Sequence, residues 1–331
     1  MNEMIYDEMI IVDALEYNNW NRALFEETRD AGLSCIHVTC ASWEGTQAAL
    51  ENISQWYPFF RKNEDLILHV KKASDILQAK AEGKIGVVLG FQNGSPLENN
   101  LSLVEVFQRL GIRIIQLTYN NQNAIGGGCY EKNDTGLSRF GREVVIEMNR
   151  CGLLIDLSHS GERTCLDAIA FSQKPVAITH ANPSVFHKAA RNKSDRILQA
   201  LSENGGVLGF VLYPHLIGGS RTTLESFCDM IYQIANRIGI DHVGFGSDLT
   251  LNWPEEHVQW LRMGRWTYTE DLGPASPDQP GWPEWPEWFQ DSSGFRNLFK
   301  GLLEKEFSAQ EMKKILGENW LRLFAETFSP E

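Results

Sequence analysis

Three short stretches hold the residue types that hydrolytic chemistry uses. One apolar run ends in Asp156-Leu-Ser-His159, a second in Thr179-His180-Ala-Asn182-Pro183, and a third in Phe245-Gly-Ser-Asp248. Two imidazoles and a carboxylate converging on one mouth are a usual hydrolytic zinc set. The same groups also serve as acid and base without a metal, and spacing alone leaves both readings open. A lone histidine is more often a hydrogen-bonded structural residue. What singles these out is that all three recur at the same point, where an apolar run gives way to polar residues. His37, inside the apolar run Cys35-Ile-His37-Val-Thr39, is read as structural unless it faces inward, where it would add a ligand or a proton relay.

The elements that must position these residues follow from the hydrophobic pattern. Apolar runs at 9–12, 35–39, 85–91, 112–117, 153–157, 176–179, 207–212 and 243–245 alternate with amphipathic stretches at 20–30, 104–110, 141–150, 194–202 and 224–238. The runs are short, nearly continuous and rich in β-branched residues, as in strands buried on both faces of a parallel sheet. Eight such units in one chain predict a (β/α)8 TIM barrel, with catalytic groups at the C-terminal ends of the strands. An open doubly wound sheet is disfavoured, because no G-x-G-x-x-G follows the first run. The prediction is one barrel domain over 1–331, closed by helices at 295–304 and 308–327. The last of these opens with the capping box Ser308-Ala-Gln-Glu311. One segment breaks the pattern: 251–291 holds six of the ten tryptophans and six of the twelve prolines. It is predicted to be a lid over the mouth or an oligomer contact, which makes a homodimer the expected assembly.

The balance of 30 Lys+Arg against 43 Asp+Glu leaves a net charge of −13, which disfavours binding to nucleic acid. No stretch approaches the length of a membrane span, so no membrane contact is expected. Met1 to Tyr6 carries an acid and no basic run, which does not read as a signal peptide. The six cysteines include no C-x-x-C pair, which fits a reducing cytoplasm.

Taken together, Asp156-Leu-Ser-His159, Thr179-His180-Ala-Asn182-Pro183, Ala190-Arg191-Asn192 and Gly246-Ser-Asp248 resemble the renal (membrane) dipeptidase family of zinc metallopeptidases in order and spacing. Gly90-Phe-Gln92, Leu117-Thr118-Tyr119-Asn120 and Gly317-Glu-Asn319-Trp-Leu-Arg322 extend the resemblance over nearly the whole chain, the Trp/Pro-rich segment excepted. It implies an amidohydrolase-type barrel in which two zinc ions, bridged by a glutamate, hydrolyse dipeptides. It also implies that His159 and His180 bind metal and that Arg191 grips a substrate carboxylate.

The departures from the family narrow that expectation. The family's first-strand Asp-Gly-His-x-Asp reads Asp13-Ala14-Leu15-Glu16-Tyr17 here, so Leu15 and Tyr17 stand at two ligand positions. Gln92 replaces the bridging glutamate, and Tyr119 replaces the histidine that contacts the substrate carbonyl. With only Asp248 left of three carboxylates, two zinc ions would be poorly compensated in a low-dielectric pocket. One divalent ion, zinc, is therefore expected at His159 and His180, completed by Asp248, Gln92 or water, and no second site. Glu16 has the opposite strand parity from Leu15 and Tyr17, while Asp13 is read as holding the barrel floor. The expected activity is hydrolysis of an amide in a dipeptide or small N-substituted amino acid that carries a carboxylate. In that scheme Asp248 handles the proton, Tyr119 stabilises the oxyanion, and Arg191, Tyr119 and Asn182 bind substrate. Two alternatives stand beside it. One is a metal-free or non-hydrolytic enzyme using His159, His180, Tyr119 and Asp248; the other is a catalytically silent binding protein on the same barrel.

Overall fold

The computed structural model describes residues 2–263 and 284–328. Nine parallel strands form the sheet: β1 (Val12–Glu16), β2 (Cys35–Ala41), β3 (Ile67–His69), β4 (Ile85–Phe91), β5 (Ile112–Gln116), β6 (Leu154–Asp156), β7 (Ala177–Ile178), β8 (Val207–Phe210) and β9 (Val243–Phe245). β1 pairs with β9 and with β2, and β2 pairs with β4, which closes eight of the strands into the expected barrel. The ninth, β3, lies beside Ile85–Val87 of β4, whose later residues Leu89–Phe91 pair with β5. Three residues are too few to show a period, so β3 left no trace in the sequence pattern. The first strand runs from Val12, not from residue 9 as the apolar run suggested.

Alternation along the strands builds two apolar layers. Val12, Ala14, Cys35, Val88, Ile114, Leu154, Ala177 and Val207 fill the ring, with Trp320 and Phe324 of the helix Asn319–Thr327 packed against them. Ile36, Val38, Val87, Leu89 and Ile115 belong to the layer beneath the surrounding helices. His37 shares the parity of Cys35 and therefore faces the ring. The Gly317–Arg322 motif is a structural clasp: Asn319 Nδ2 donates to the Val243 carbonyl (2.7 Å) and Trp320 Nε1 to that of Phe245 (3.1 Å).

Close backbone approach is needed beside the mouth. A methyl group on Gly246 would overlap the Thr179 carbonyl, next to His180. Gly246→Ala is expected to cost about 1–3 kcal/mol by overpacking, measured by urea denaturation.

Much of the Trp/Pro-rich segment, 264–283 with Trp266 and Trp282, lies outside the described residues. Its far end packs onto the barrel. Phe289 is fully buried, Trp288 Nε1 donates to the Thr222 carbonyl (2.7 Å), and Trp285 meets Tyr213 edge-on at 5.8 Å. Trp285 and Trp288 thus anchor the far end of the segment on the barrel. Among the described residues no helix is long and apolar enough to cross a membrane.

Candidate active site

His159 follows β6 and His180 follows β7, and their Nε2 atoms face each other at 3.0 Å. The neighbouring hydrogen bonds decide which nitrogen carries each proton. The Thr179 hydroxyl donates to Asp156 Oδ2 (2.6 Å), so its oxygen is left to accept from His180 Nδ1 (2.7 Å). Likewise, Asn120 Oδ1, an acceptor only, takes the proton of His159 Nδ1 (2.6 Å). Both Nε2 atoms are therefore unprotonated where they face one another. Burial, reinforced by the Arg191 charge, holds both imidazoles far below the usual histidine range, so they stay neutral. Two converging lone pairs at this distance repel unless a positive charge lies between or beside them. The pair fits a divalent metal: two neutral imidazoles, each with its other N–H held by a fixed acceptor, within the span of two ~2.0–2.1 Å zinc–nitrogen bonds.

In this structure the positive charge beside them belongs to Arg191. Its Nη1 donates to His159 Nε2 (3.0 Å) and its Nη2 to Asp248 Oδ2 (2.7 Å), with both side chains under a tenth exposed. Asp248 has φ 61°, a left-handed backbone that a buried non-glycine residue adopts at some cost. Its turn is held from β1. Asp13 Oδ1 accepts from Ser247 N (2.7 Å) and Leu15 N (3.2 Å), its Oδ2 accepts from the Ser247 hydroxyl, and Asp248 N donates to the Leu15 carbonyl (2.9 Å). Asp13 is thus the brace of the Asp248 turn, not a floor residue. Tyr119 stacks on His159 with centroids 4.2 Å apart, and Trp43 meets it edge-on at 4.8 Å. Burial pushes its phenol above the usual tyrosine range, so it stays a neutral donor.

Two expected site residues are committed elsewhere. Asn182, fully buried, donates to the carbonyls of Val211 (2.8 Å) and Leu216 (3.4 Å), while its Oδ1 accepts from Val211 N (3.3 Å). It pins two loops together and has no free amide for a substrate. Gln92 Nε2 donates to Thr39 Oγ1 (2.9 Å), and its backbone carbonyl accepts from Gln116 Nε2 (2.5 Å). Gln116 in turn accepts the His159 backbone N–H (2.7 Å). Gln92 therefore supports the loop that carries His159, and none of its hydrogen bonds is with the histidine pair.

Other residues matter beyond what sequence reasoning weighted. His37 donates from Nδ1 to the Ala14 carbonyl (2.7 Å), leaving Nε2 buried without a hydrogen-bond partner, and burial pulls its pKa to about 4. Gly90 leaves the room that this ring needs. Asn120, which sets the His159 tautomer, has φ 57°, a conformation asparagine tolerates. The parity argument about Glu16 fails because β1 bulges: Asp13 pairs with Ile36 but Glu16 with Val38. Glu16 is fully buried, its Oε2 accepts from Asn18 Nδ2 (2.6 Å), and its carboxyl shares a hydrogen bond with that of Asp13.

Burial without a counter-charge pushes Glu16 well above the usual carboxyl range, with Asp13 nearby adding to it. Asp13 rises less, from 3.8 to about 7, because burial is opposed by the donors from Ser247 and Leu15. A carboxyl whose pKa is raised by folding contributes stability at low pH and loses it as pH rises. Glu16→Gln mimics the protonated form and removes one such group. The melting temperature of Glu16→Gln relative to wild type is expected to increase as pH rises above about 4.5, the value in the unfolded chain. A difference independent of pH would mean that Glu16 is ionised in the fold.

A model of the membrane dipeptidase family, peptidase family M19, matches residues 17–258. Dipeptidase tcpJ of Claviceps purpurea is 29% identical over 259 residues, 77% of this chain and 54% of its own length. An uncharacterized dipeptidase of Schizosaccharomyces pombe is 36% identical over 197 residues, 56% of this chain and 46% of its own. The chain spans about half the length of the curated relatives it matches. Among solved structures, an amidohydrolase from Pseudomonas aeruginosa superposes with a TM-score of 0.93 at 36% identity, covering 99% of each chain. On the barrel, the paired histidines and this match, the chain belongs to the membrane dipeptidase family, the M19 family of metallopeptidases.

Proposed function

We propose that the protein is a hydrolase that cleaves the amide bond of a dipeptide or a small N-substituted amino acid carrying a carboxylate. The observation that carries this reading is the pair of neutral histidines whose Nε2 lone pairs converge at 3.0 Å beside the Arg191–Asp248 pair. His159 and His180 would hold one divalent ion, zinc by its preference for imidazole, with Asp248 as the nearby carboxylate. Such an ion supplies a Lewis acid for the amide carbonyl and lowers the pKa of water.

The chain's own groups supply the rest. Asp248, within a hydrogen bond of Arg191, is the base that takes a proton from attacking water and returns it to the leaving amine. Tyr119, held flat on His159, donates to the developing oxyanion. Arg191 binds the substrate carboxylate once its contact with His159 is given up, and its fork allows a two-point grip. A reducing, cytoplasmic setting is supported by six free cysteines, five of them buried.

The metal-free alternative draws support from one observation, the donation of Arg191 Nη1 to His159 Nε2, which satisfies that lone pair without an ion. Elemental analysis of gently purified protein separates the two readings. It should be run beside a screen of dipeptides and N-acyl or N-alkyl amino acids. One equivalent of metal with chelator-sensitive hydrolysis is the expected result. Two equivalents would overturn the single-ion count, and chelator-resistant turnover would favour the metal-free site.

A further inference from the structure

A second concavity shares a wall with the histidine site. Tyr119 stacks on His159, and the same ring lines a cavity of about 260 Å³ between the loops that follow β4 and β5. That is just under the range of complete small-molecule sites and suits one side chain of a larger ligand. The other apolar walls are Trp43, which meets Tyr119 edge-on, Ile125, and Phe140 from the first turn of the helix Arg139–Cys151. Most polar groups around the cavity are spent on its frame. Asn123 Nδ2 donates to Asn93 Oδ1 (2.9 Å) and to the Leu117 carbonyl (2.8 Å), and its Oδ1 accepts from Ile125 N (2.8 Å). Asn93 Nδ2 donates to the Ser42 carbonyl (2.7 Å), Ser95 Oγ to that of Glu44 (2.8 Å), and Trp43 Nε1 to that of Leu261 (3.1 Å). Asn121 is the exception. It lines the cavity, and its Oδ1 is buried without a hydrogen-bond partner among the described residues. Such an atom is costly unless a ligand or a water satisfies it. Among the described lining residues Glu98 alone is charged; it is exposed, and its Oε1 accepts from Thr46 N (3.0 Å).

We propose that this cavity is a subsite for a side chain of the substrate and selects an uncharged hydroxyphenyl group, its ring among Trp43, Tyr119 and Phe140 and its hydroxyl on the Asn121 amide. Ring walls favour an aromatic occupant by edge and face contacts. A phenol both donates and accepts, so it pairs with either end of the amide, which a plain phenyl group cannot do. An acidic side chain would meet Glu98, and a basic one would lose its water without a counter-charge in the interior. That the occupant belongs to a substrate rests on the hydrolase reading above; that the cavity binds a phenol does not.

The test is a ligand-observed NMR titration with p-cresol, using toluene as its counterpart without the hydroxyl. The phenol should bind about fivefold more tightly, the worth of one satisfied buried acceptor. Asn121→Leu should erase that preference. Phe140→Leu, which takes a half-buried ring from the wall, should weaken both probes about threefold or more, and it serves if Asn121→Leu fails to fold. No binding of either probe, equal binding of the two by wild type, or folded variants that bind as wild type would overturn the proposal. The same titration on His159→Ala keeps the question separate from hydrolysis, because p-cresol should bind there even if no metal or activity is ever found. Tyrosyl-glycine and glycyl-tyrosine then test the link to the mouth. One of them should displace p-cresol at a concentration about tenfold or more below that of N-acetyltyrosinamide, which lacks the carboxylate for Arg191, and Arg191→Met should remove that advantage. Equal potency of all three on wild type would detach the cavity from the substrate site and overturn its role as a subsite.

Discussion

Replacing His159 by alanine is expected to abolish retention of a divalent ion and to lower dipeptide hydrolysis by about a hundredfold or more. The expectation rests on the converging Nε2 atoms: with one imidazole gone, His180 alone cannot hold an ion against dilution. The neighbouring network offers a graded control. Thr179→Val removes the acceptor that keeps the proton on His180 Nδ1, and it should weaken metal affinity about 10–100-fold while leaving both ligands in place. Thr179 also binds Asp156, so its variant must first be shown to fold, by circular dichroism. Metal binding by competition with a chromophoric chelator reads both variants. Wild-type affinity in His159→Ala would sink the assignment of that residue as a ligand.

Arg191→Met should have opposite effects on the metal-free protein and on metal affinity. Without an ion, the substitution leaves the Asp248 carboxylate buried and unpaired, and breaking such a pair costs about 3–5 kcal/mol. It also clears a cation from beside His159 Nε2, so a divalent ion no longer competes with the guanidinium. The rise in melting temperature on adding zinc should therefore be larger in Arg191→Met than in wild type, since a ligand that binds only the folded state stabilises it. Hydrolysis should nevertheless fall, with an increase in KM for carboxylated substrates. A zinc-induced shift equal to that of wild type would mean that Arg191 does not contend for the site. An unchanged KM would confine Arg191 to holding Asp248.

How far the site could be read in advance depended on the kind of interaction. His159, His180 and Asp248 were legible because each ends an apolar run, and a parallel barrel delivers every strand's C-terminal end to one mouth. Arg191 and Tyr119 were legible only by resemblance, since nothing in their local spacing marks them. Asn182 shows the opposite failure. Its motif pointed to substrate, but its amide is consumed by Val211 and Leu216, and only the packing of two loops reveals that. Glu16 was set aside by strand parity, and parity holds only while the strand is regular.

What the sequence by itself determined is the barrel, because burial on both faces writes itself into strands as continuous apolar runs, a local property of the chain. It also determined which strand ends carry polar chemistry. The tertiary structure alone decided the protonation pattern of the histidines, the bulge that turns Glu16, and the guanidinium placed between His159 and Asp248. Each of these depends on contacts between residues far apart in the chain: Asn120 with His159 across 39 positions, and Arg191 with Asp248 across 57. Such pairings are geometric, set by where the closed ring brings two strand ends, and no hydrophobic period encodes them.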